Sequence, residues 1–418
     1  MLSFLPWRKA QSGISNSTHA DTPTDEQFRA VKAIDAWFAD TKGPQVFWLA
    51  GEAGTGKTRT TSFAIQHLKE HRKLKKYVVG APTGKAAQVL RGKGVRDANT
   101  LHSLLYEAAV DEETGRLSFV KRLDGPMIDA QLIIADEGSM IGDDVARDML
   151  ATGRKILVVA DAFQLPPVSG TGKFCSGVPD FELVEPHRTA LDSPVIRLAR
   201  LLRREQMPRS FGSVGKVHVL PLDRETQRLV VRQGTQAICG VHTVRTAYIR
   251  RIRALRGFDG PTPQPGERVI CRRNSRDLGL FNGMTGTVLS AQRARGAAEG
   301  LLSLKLQMDG ESTVRKGVLT SRWMFDTHYG GSPVRPRLSK SIMEFDYGST
   351  ITCHASQGSE FSNVTVVDDS SAFREAKWRW LYTAVTRSSE ELVLLLRNTE
   401  LGGNWRMPHF EDSCLCAA

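Results

Sequence analysis

The segment Gly51-Glu52-Ala53-Gly54-Thr55-Gly56-Lys57-Thr58 constrains this chain more than any other. It fits G-x-x-x-x-G-K-[ST] in full, follows the apolar run Gln45–Ala50 and opens a predicted helix. Glycines at these positions let the backbone curl until its N–H groups converge, and the helix N-terminus adds a favourable dipole. A cradle of that kind takes phosphate. Gly51, Gly54, Thr55 and Gly56 shape it, Lys57 reaches the β- and γ-phosphates of a nucleotide, and Thr58 ligates Mg²⁺. A chance glycine-rich turn would not come with both the strand and the helix.

The surrounding pattern supplies a sheet for that loop. Short apolar runs at Gln45–Ala50, Tyr77–Ala81, Leu132–Asp136 and Ile156–Ala160 alternate with helical stretches, which implies a parallel sheet covered by helices. Thr24–Gln27 reads as a helix start, followed by Phe28, Val31, Ile34 and Trp37 at roughly helical spacing. A second set of strands (Gln236–Val241, Val364–Val367, Leu392–Leu396) and helices (Val195–Arg203, Thr243–Leu255, Trp378–Val385) fills the C-terminal half. Between 261 and 340 the texture changes to short strand-like runs with the turn signals Asn282-Gly283 and Asp309-Gly310. The 418 residues bound the answer at nearly three domains. We expect a frayed tail at 1–20, a first α/β domain at 21–175 with an insertion at 106–127, and a second at 176–418 with a small β-domain inserted at 261–340.

Composition excludes whole classes. Apolar residues at 40% and charged residues at 24% are ordinary for a soluble globular chain, which rules out dominant disorder. No uncharged apolar run is long enough for a membrane span. A net charge of +12 favours polyanionic partners. The cysteines 175, 239, 271, 353, 414 and 416 lack metal-site spacing, and Cys414-Leu-Cys416 has no matching pair. They read as reduced thiols of a cytoplasmic protein.

The run Leu132–Ala135 ends in Asp136-Glu137. A carboxylate at the C-terminal end of such a strand sits beside the phosphate loop. Asp136 would hold Mg²⁺ through water, and Glu137 would orient and deprotonate an attacking water. An isolated Asp-Glu pair is usually a solvated strand end; the upstream loop gives this one its meaning.

Further segments follow in order: Ala81-Pro82-Thr83-Gly84-Lys85, Thr100-Leu101-His102, Ala160-Asp161-Ala162-Phe163-Gln164-Leu165-Pro166, Glu185-Pro186-His187-Arg188, Ser349-Thr350-Ile351-Thr352-Cys353-His354 running on to Gln357-Gly358-Ser359-Glu360, and Leu381-Tyr382-Thr383-Ala384-Val385-Thr386-Arg387. This series, from about Thr22 to Arg397, resembles the superfamily-one DNA helicases of the RecD-like group, and at this length the compact Dda-like members. The resemblance implies two RecA-like domains with ATP in the cleft between them. It implies that Gln27 reads the adenine edge, Gln164 senses the γ-phosphate, Arg188 and Arg387 reach it from the second domain, and Gly358 and Glu360 lie near the nucleotide. Arginines so placed contribute about 10³–10⁵ in rate. Pro82, Thr83, His102, Thr352 and His354 match DNA-facing positions, where hydroxyl and imidazole groups suit sequence-independent phosphate contacts; as plain structure they would be caps or turns. The chain departs from the pattern at Ala355, where relatives carry Lys, and at Gly138 and Ala160, where one small residue replaces another with little expected effect.

The insertion at 106–127 has a turn signal at Glu112–Gly115 and a strand at Arg116–Val120. The resemblance implies a hairpin pin that splits duplex, with Phe119 stacking on the last base pair; otherwise Phe119 is the hairpin's buried side. The region 261–340 resembles an SH3-like subdomain, in which Trp323 and Phe325 are base contacts or barrel core. The expected activity is movement on single-stranded DNA driven by ATP with Mg²⁺, and the resemblance implies that it runs 5′-to-3′. Fork and overhang duplexes would be the substrates of a monomer that works with a single-strand-binding protein or a replication or recombination factor. A motor subunit of a nuclease complex, an RNA-directed superfamily-one helicase and a P-loop kinase are the rival readings.

Overall fold

The structure, a computed structural model, describes residues 22–397 apart from 111–116, 168–169, 186–192, 233, 276, 295–299 and 340. The tail at 1–20, the turn Glu112–Gly115, Arg188 and the Cys414/Cys416 pair lie outside the described residues.

The first lobe contains β1 (Val46–Gly51), β2 (Tyr77–Ala81), β3 (Asn99–Thr100), β4 (Tyr106–Val110), β5 (Leu117–Lys121), β6 (Leu132–Ala135), β7 (Lys155–Ala160) and β8 (Phe181–Leu183). Six of them form one parallel sheet in the order β3-β2-β6-β7-β1-β8. The strands read as continuous apolar runs because both faces are covered. Phe47, Leu49, Leu132, Ile134, Leu157 and Val159 face one core, while Trp48, Ala50, Ile133, Ile156 and Val158 face another. The helix Asp25–Ala39 covers one face; Thr24 and Gln27 close a capping box at its start, and Ala30, Val31, Ile34 and Trp37 are buried. The expected boundary at 175/176 needs correction. β8 lies beyond it yet pairs with β1, Leu49 opposite Phe181 and Gly51 opposite Leu183. A three-residue edge strand is too short to show a period in sequence.

The rest is built from β9 (Gly212–Val214), β10 (Val217–Pro221), β11 (Thr235–Cys239), β12 (Arg268–Cys271), β13 (Thr285–Arg293), β14 (Leu301–Met308), β15 (Val314–Ser321), β16 (Met343–Tyr347), β17 (Thr350–Thr352), β18 (Phe361–Val367) and β19 (Ser388–Leu396). The second sheet runs β17-β11-β18-β19-β10-β9, parallel except at β9. Strands β12 to β16 close a small barrel, the SH3-like insertion. It runs past the expected end at 340, since β16 closes it and leads directly into β17. Phe325 is fully buried edge-on to Tyr347, so it is barrel core, and the Trp323 indole donates to the Ser332 carbonyl at 2.8 Å.

Two buried arginines on the helix His242–Leu255 fasten the barrel to its lobe. Arg245 donates to Asp346 at 2.7 Å and to the Tyr347 and Thr350 carbonyls, and Arg253 pairs with Glu267. Burial pushes the Asp346 carboxyl up, but His328 and Arg245 outweigh it and hold it at about 2. Removing one partner of such a pair costs about 3–5 kcal/mol, so the barrel is a rigid appendage of the second lobe.

Candidate nucleotide cleft between the lobes

A cavity of about 1100 Å³ separates the lobes, and it gathers Gly54, Gly56, Lys57, Thr58, Asp136, Glu137, Gln164, Gly358, Glu360 and Arg387 on its walls. Each arrives on its own element. The loop after β1 turns through Gly54 (φ 83°) and Gly56 (φ 80°), a left-handed conformation that side chains resist. The helix Lys57–Arg72 then begins with no side chain bonded to its first N–H groups, which leaves them for an anion. Thr55 is buried behind the loop, its hydroxyl on the Glu52 carbonyl, and Gly51 lies against Leu183. The Lys57 ammonium donates to the Gly51 and Glu52 carbonyls at 2.8 and 2.9 Å, directly over the loop.

Asp136 and Glu137 sit at the end of β6. Burial, and then the neighbouring Glu137 carboxylate, raise the Asp136 carboxyl to about 6. Glu137 holds φ 53° and ψ 43° without being glycine, a conformation that costs about 1–3 kcal/mol and collects at active sites. Two carboxylates gathered beside a phosphate cradle suit a divalent cation. Thr58 and Asp136, both on the cavity wall, are the groups that could hold it. Among the described residues no cluster of three or more His, Cys, Asp or Glu could hold a metal unaided.

Gln164 is buried, and its Oε1 has no hydrogen-bond partner among the described residues. An orphan acceptor of this kind is costly unless something else bonds it. Arg387, equally buried, donates to the Thr383 and Ser359 carbonyls and the Thr386 hydroxyl at 3.0–3.2 Å, all neutral acceptors. Its charge thus enters the cleft uncompensated by any carboxylate among the described residues. Gly358 lets the lobes meet, since a Cβ there would lie 2.8 Å from Ala86 Cβ of the first lobe.

Other expected residues lie apart from this cleft. Gln27 is buried at the start of the first helix, its Oε1 on the Thr24 N–H, and does not line the cavity. Thr83 and Thr352 cap short helices, accepting the Ala86 and Ala355 N–H groups at 3.1 and 3.3 Å. Both hydroxyls still have a proton to donate. His102 is exposed at the base of the β4–β5 hairpin, with the Phe119 ring edge-on at 4.6 Å and Tyr106 at 4.6 Å on another side. Phe119 is 55% exposed, so it is not the hairpin's buried side. The hairpin is braced at Asp148, which accepts from Tyr106 at 2.5 Å and pairs with Lys121 at 2.6 Å. Pro82 is half-buried, and burial lowers His354, whose ring lies 6.0 Å from Phe373. Gly138 is more than a neutral exchange, because a Cβ there would come 2.3 Å from Val158 Cγ1.

Sequence reasoning missed the second-lobe grip on the phosphate loop. Arg200 and Arg203 hold the Glu52 carboxylate at 3.0 and 3.4 Å. On the helix Pro194–Arg203 they read as an ordinary solvated face opposite Val195, Leu198 and Leu202, and only the docked lobes reveal their target.

Comparison with known proteins agrees with this geometry. Residues 35–170 match the AAA domain family and residues 347–395 the UvrD-like helicase C-terminal domain. The ATP-dependent RecD2 DNA helicase of Deinococcus radiodurans is 27% identical over 374 residues, covering 83% of this chain and 46% of the relative. An uncharacterised protein of Methanocaldococcus jannaschii is 22% identical over 434 residues, covering 83% of this chain and 36% of the relative. The chain thus spans less than half the length of these curated relatives. Among solved structures, a Pif1 helicase at forked duplex DNA aligns with TM-score 0.54 and 18% identity, over 93% of this chain and 95% of that one. Pif1 helicase from Candida albicans aligns at 0.53 and 17%, over 93% and 97%. Two RecA-like lobes facing each other across a phosphate loop define a P-loop fold of the two-lobe type. Both family matches and the likeness to the RecD2 DNA helicase agree with the resemblance of the ordered motifs to the RecD-like superfamily-one helicases.

Proposed function

We propose that the protein is an ATP- and Mg²⁺-dependent helicase that travels 5′-to-3′ on single-stranded DNA and separates duplex at forks or overhangs. The observation that carries this is the split ownership of the cleft: Lys57, Asp136, Glu137 and Gln164 come from one lobe and Arg387 from the other. An arginine delivered across a seam makes hydrolysis depend on closure, so fuel use and lobe motion are coupled. In this reading Lys57 and the loop N–H groups bind the phosphates, Thr58 and Asp136 hold the ion, Glu137 takes the proton of the attacking water, and Gln164 and Arg387 contact the γ-phosphate. The cation, when bound, offsets phosphate charge. Pro82, Thr83, His102, Thr352 and His354 contact the strand, and Phe119 stacks at the junction. The relatives named as DNA helicases support DNA as the track, and resemblance to the RecD-like group supports the polarity.

Unwinding of duplexes carrying a 5′ or a 3′ single-stranded overhang, by wild type and Lys57→Ala, tests the proposal. ATP-dependent opening of the 5′-tailed duplex alone is expected, with kcat for ATP falling about 10²–10³-fold in the variant. Opening of the 3′-tailed duplex alone would overturn the polarity, and stimulation by RNA alone would overturn the track.

A further inference from the structure

Tyr382 lies five residues before Arg387 and has no part in the site described so far. It is buried in the lobe seam, and its hydroxyl touches two first-lobe groups at once. It donates to Asp161 Oδ2 at 2.5 Å and accepts the N–H of Ala53, within the phosphate loop, at 3.1 Å. Asp161 is 1% exposed, and its other oxygen accepts the Phe163 N–H at 3.0 Å. The Phe163 ring meets Tyr382 edge-on at 5.3 Å. On the far side of Gln164, Leu165 is held from the second lobe at both backbone groups. Its N–H donates to the Thr383 hydroxyl and its carbonyl accepts from the Gln357 amide, each at 2.9 Å. The segment carrying Gln164 is therefore fastened on either side by the second lobe. Tyr382 is also linked to the arginine through Thr386, whose hydroxyl donates to the Tyr382 carbonyl at 2.9 Å and accepts from Arg387 at 3.2 Å.

The geometry points to Tyr382 as a positioning residue whose hydroxyl links the Ala53 N–H to Asp161 and so sets the phosphate loop and Gln164 together when the lobes close. This rests on the reading of the cleft as an ATP-hydrolysing site. A buried hydroxyl is costly unless bonded, and here both bonds cross the seam. Parting the lobes would leave Ala53, Asp161 and Leu165 without these partners together. Hydrolysis thus depends on closure by a path separate from the charge of Arg387.

Tyr382→Phe keeps the ring against Phe163 and removes only the hydroxyl. Steady-state ATP turnover of the full chain, with and without single-stranded DNA, should show kcat lowered about tenfold or more with KM for ATP within about twofold, because the lost bond orients the loop without contacting substrate. Asp161→Asn keeps an acceptor oxygen without its charge and should show a smaller loss of the same kind; it serves where Tyr382→Phe does not fold. A kcat within about twofold of wild type, or a KM that rises as kcat falls, would overturn the relay. If DNA fails to accelerate wild-type turnover, the motor reading falls, while the same kcat comparison on unstimulated turnover still decides the relay.

Discussion

Two strand-to-helix junctions, one in each lobe, show how similar backbone is turned to opposite ends. In the first, β1 passes through the glycine-rich loop into the helix Lys57–Arg72, and no side chain takes the first N–H groups. In the second, β11 passes through Gly240 and Val241 into the helix His242–Leu255. There the Asp369 carboxylate accepts both junction N–H groups, from Gly240 at 2.6 Å and Val241 at 3.0 Å. One junction is left open for an external anion, and the other is filled by an internal one. Burial raises the Asp369 carboxyl and the two N–H bonds pull it back, so this carboxylate is a structural filler that stays in place. The difference teaches that a helix start alone does not make a phosphate site; the unfilled N–H groups and the cation beside them do.

That contrast can be broken or sharpened by measurement. The largest effect should come from Arg387→Ala, because the proposed hydrolysis at the open junction needs charge from the other lobe. DNA-stimulated ATP turnover should fall about 10³-fold or more, with nucleotide binding retained in a fluorescent-nucleotide titration; unchanged turnover would sink the shared-cleft reading. Phe119→Ala touches neither junction. It should leave ATP turnover intact while reducing base pairs opened per ATP, reflecting about 1–3 kcal/mol of lost stacking, and equal yield per ATP would remove the hairpin from strand separation.

Opening the filled junction should cost stability only. Asp369→Ala is expected to lower unfolding free energy by about 1–3 kcal/mol, from unpaired N–H groups, as read by urea denaturation. A second nucleotide site appearing in that variant would break the contrast. The smallest effect has the opposite sign. Because the folded state raises Asp136 to about 6 from an ordinary 3.8, it binds that proton more tightly than the unfolded chain does. The charged carboxylate therefore lowers stability above about pH 6, and the deficit disappears as pH falls below 3.8. Asp136→Asn should raise the thermal midpoint of the nucleotide-free protein at pH 7, with the gain closing near pH 4. A midpoint that is lower at pH 7 would contradict this.

Much of this was legible in the residues. Buried parallel strands announce themselves as apolar runs, so β1, β2, β6 and β7 were read closely. The phosphate loop and Asp136-Glu137 were read from types and spacing that few other chemistries require. Short edge elements were not legible: β8 and β9, of three residues each, carry no period. Thr83 and Thr352 match motif positions, yet the structure gives both a capping bond, because a threonine before a helix serves either purpose with the same atoms.

By itself the sequence determined the loop's shape, the two-sheet plan and the inventory of charged groups, since these follow from local backbone preference and periodic burial. Tertiary structure alone decided which groups face one another. That Arg200 and Arg203 grip Glu52, that Gly358 must be small against Ala86, and that Tyr382 bridges Ala53 and Asp161 are consequences of docking one lobe on the other. Contacts between residues more than a hundred positions apart leave no local signature, because each partner alone satisfies the rules of its own helix or loop.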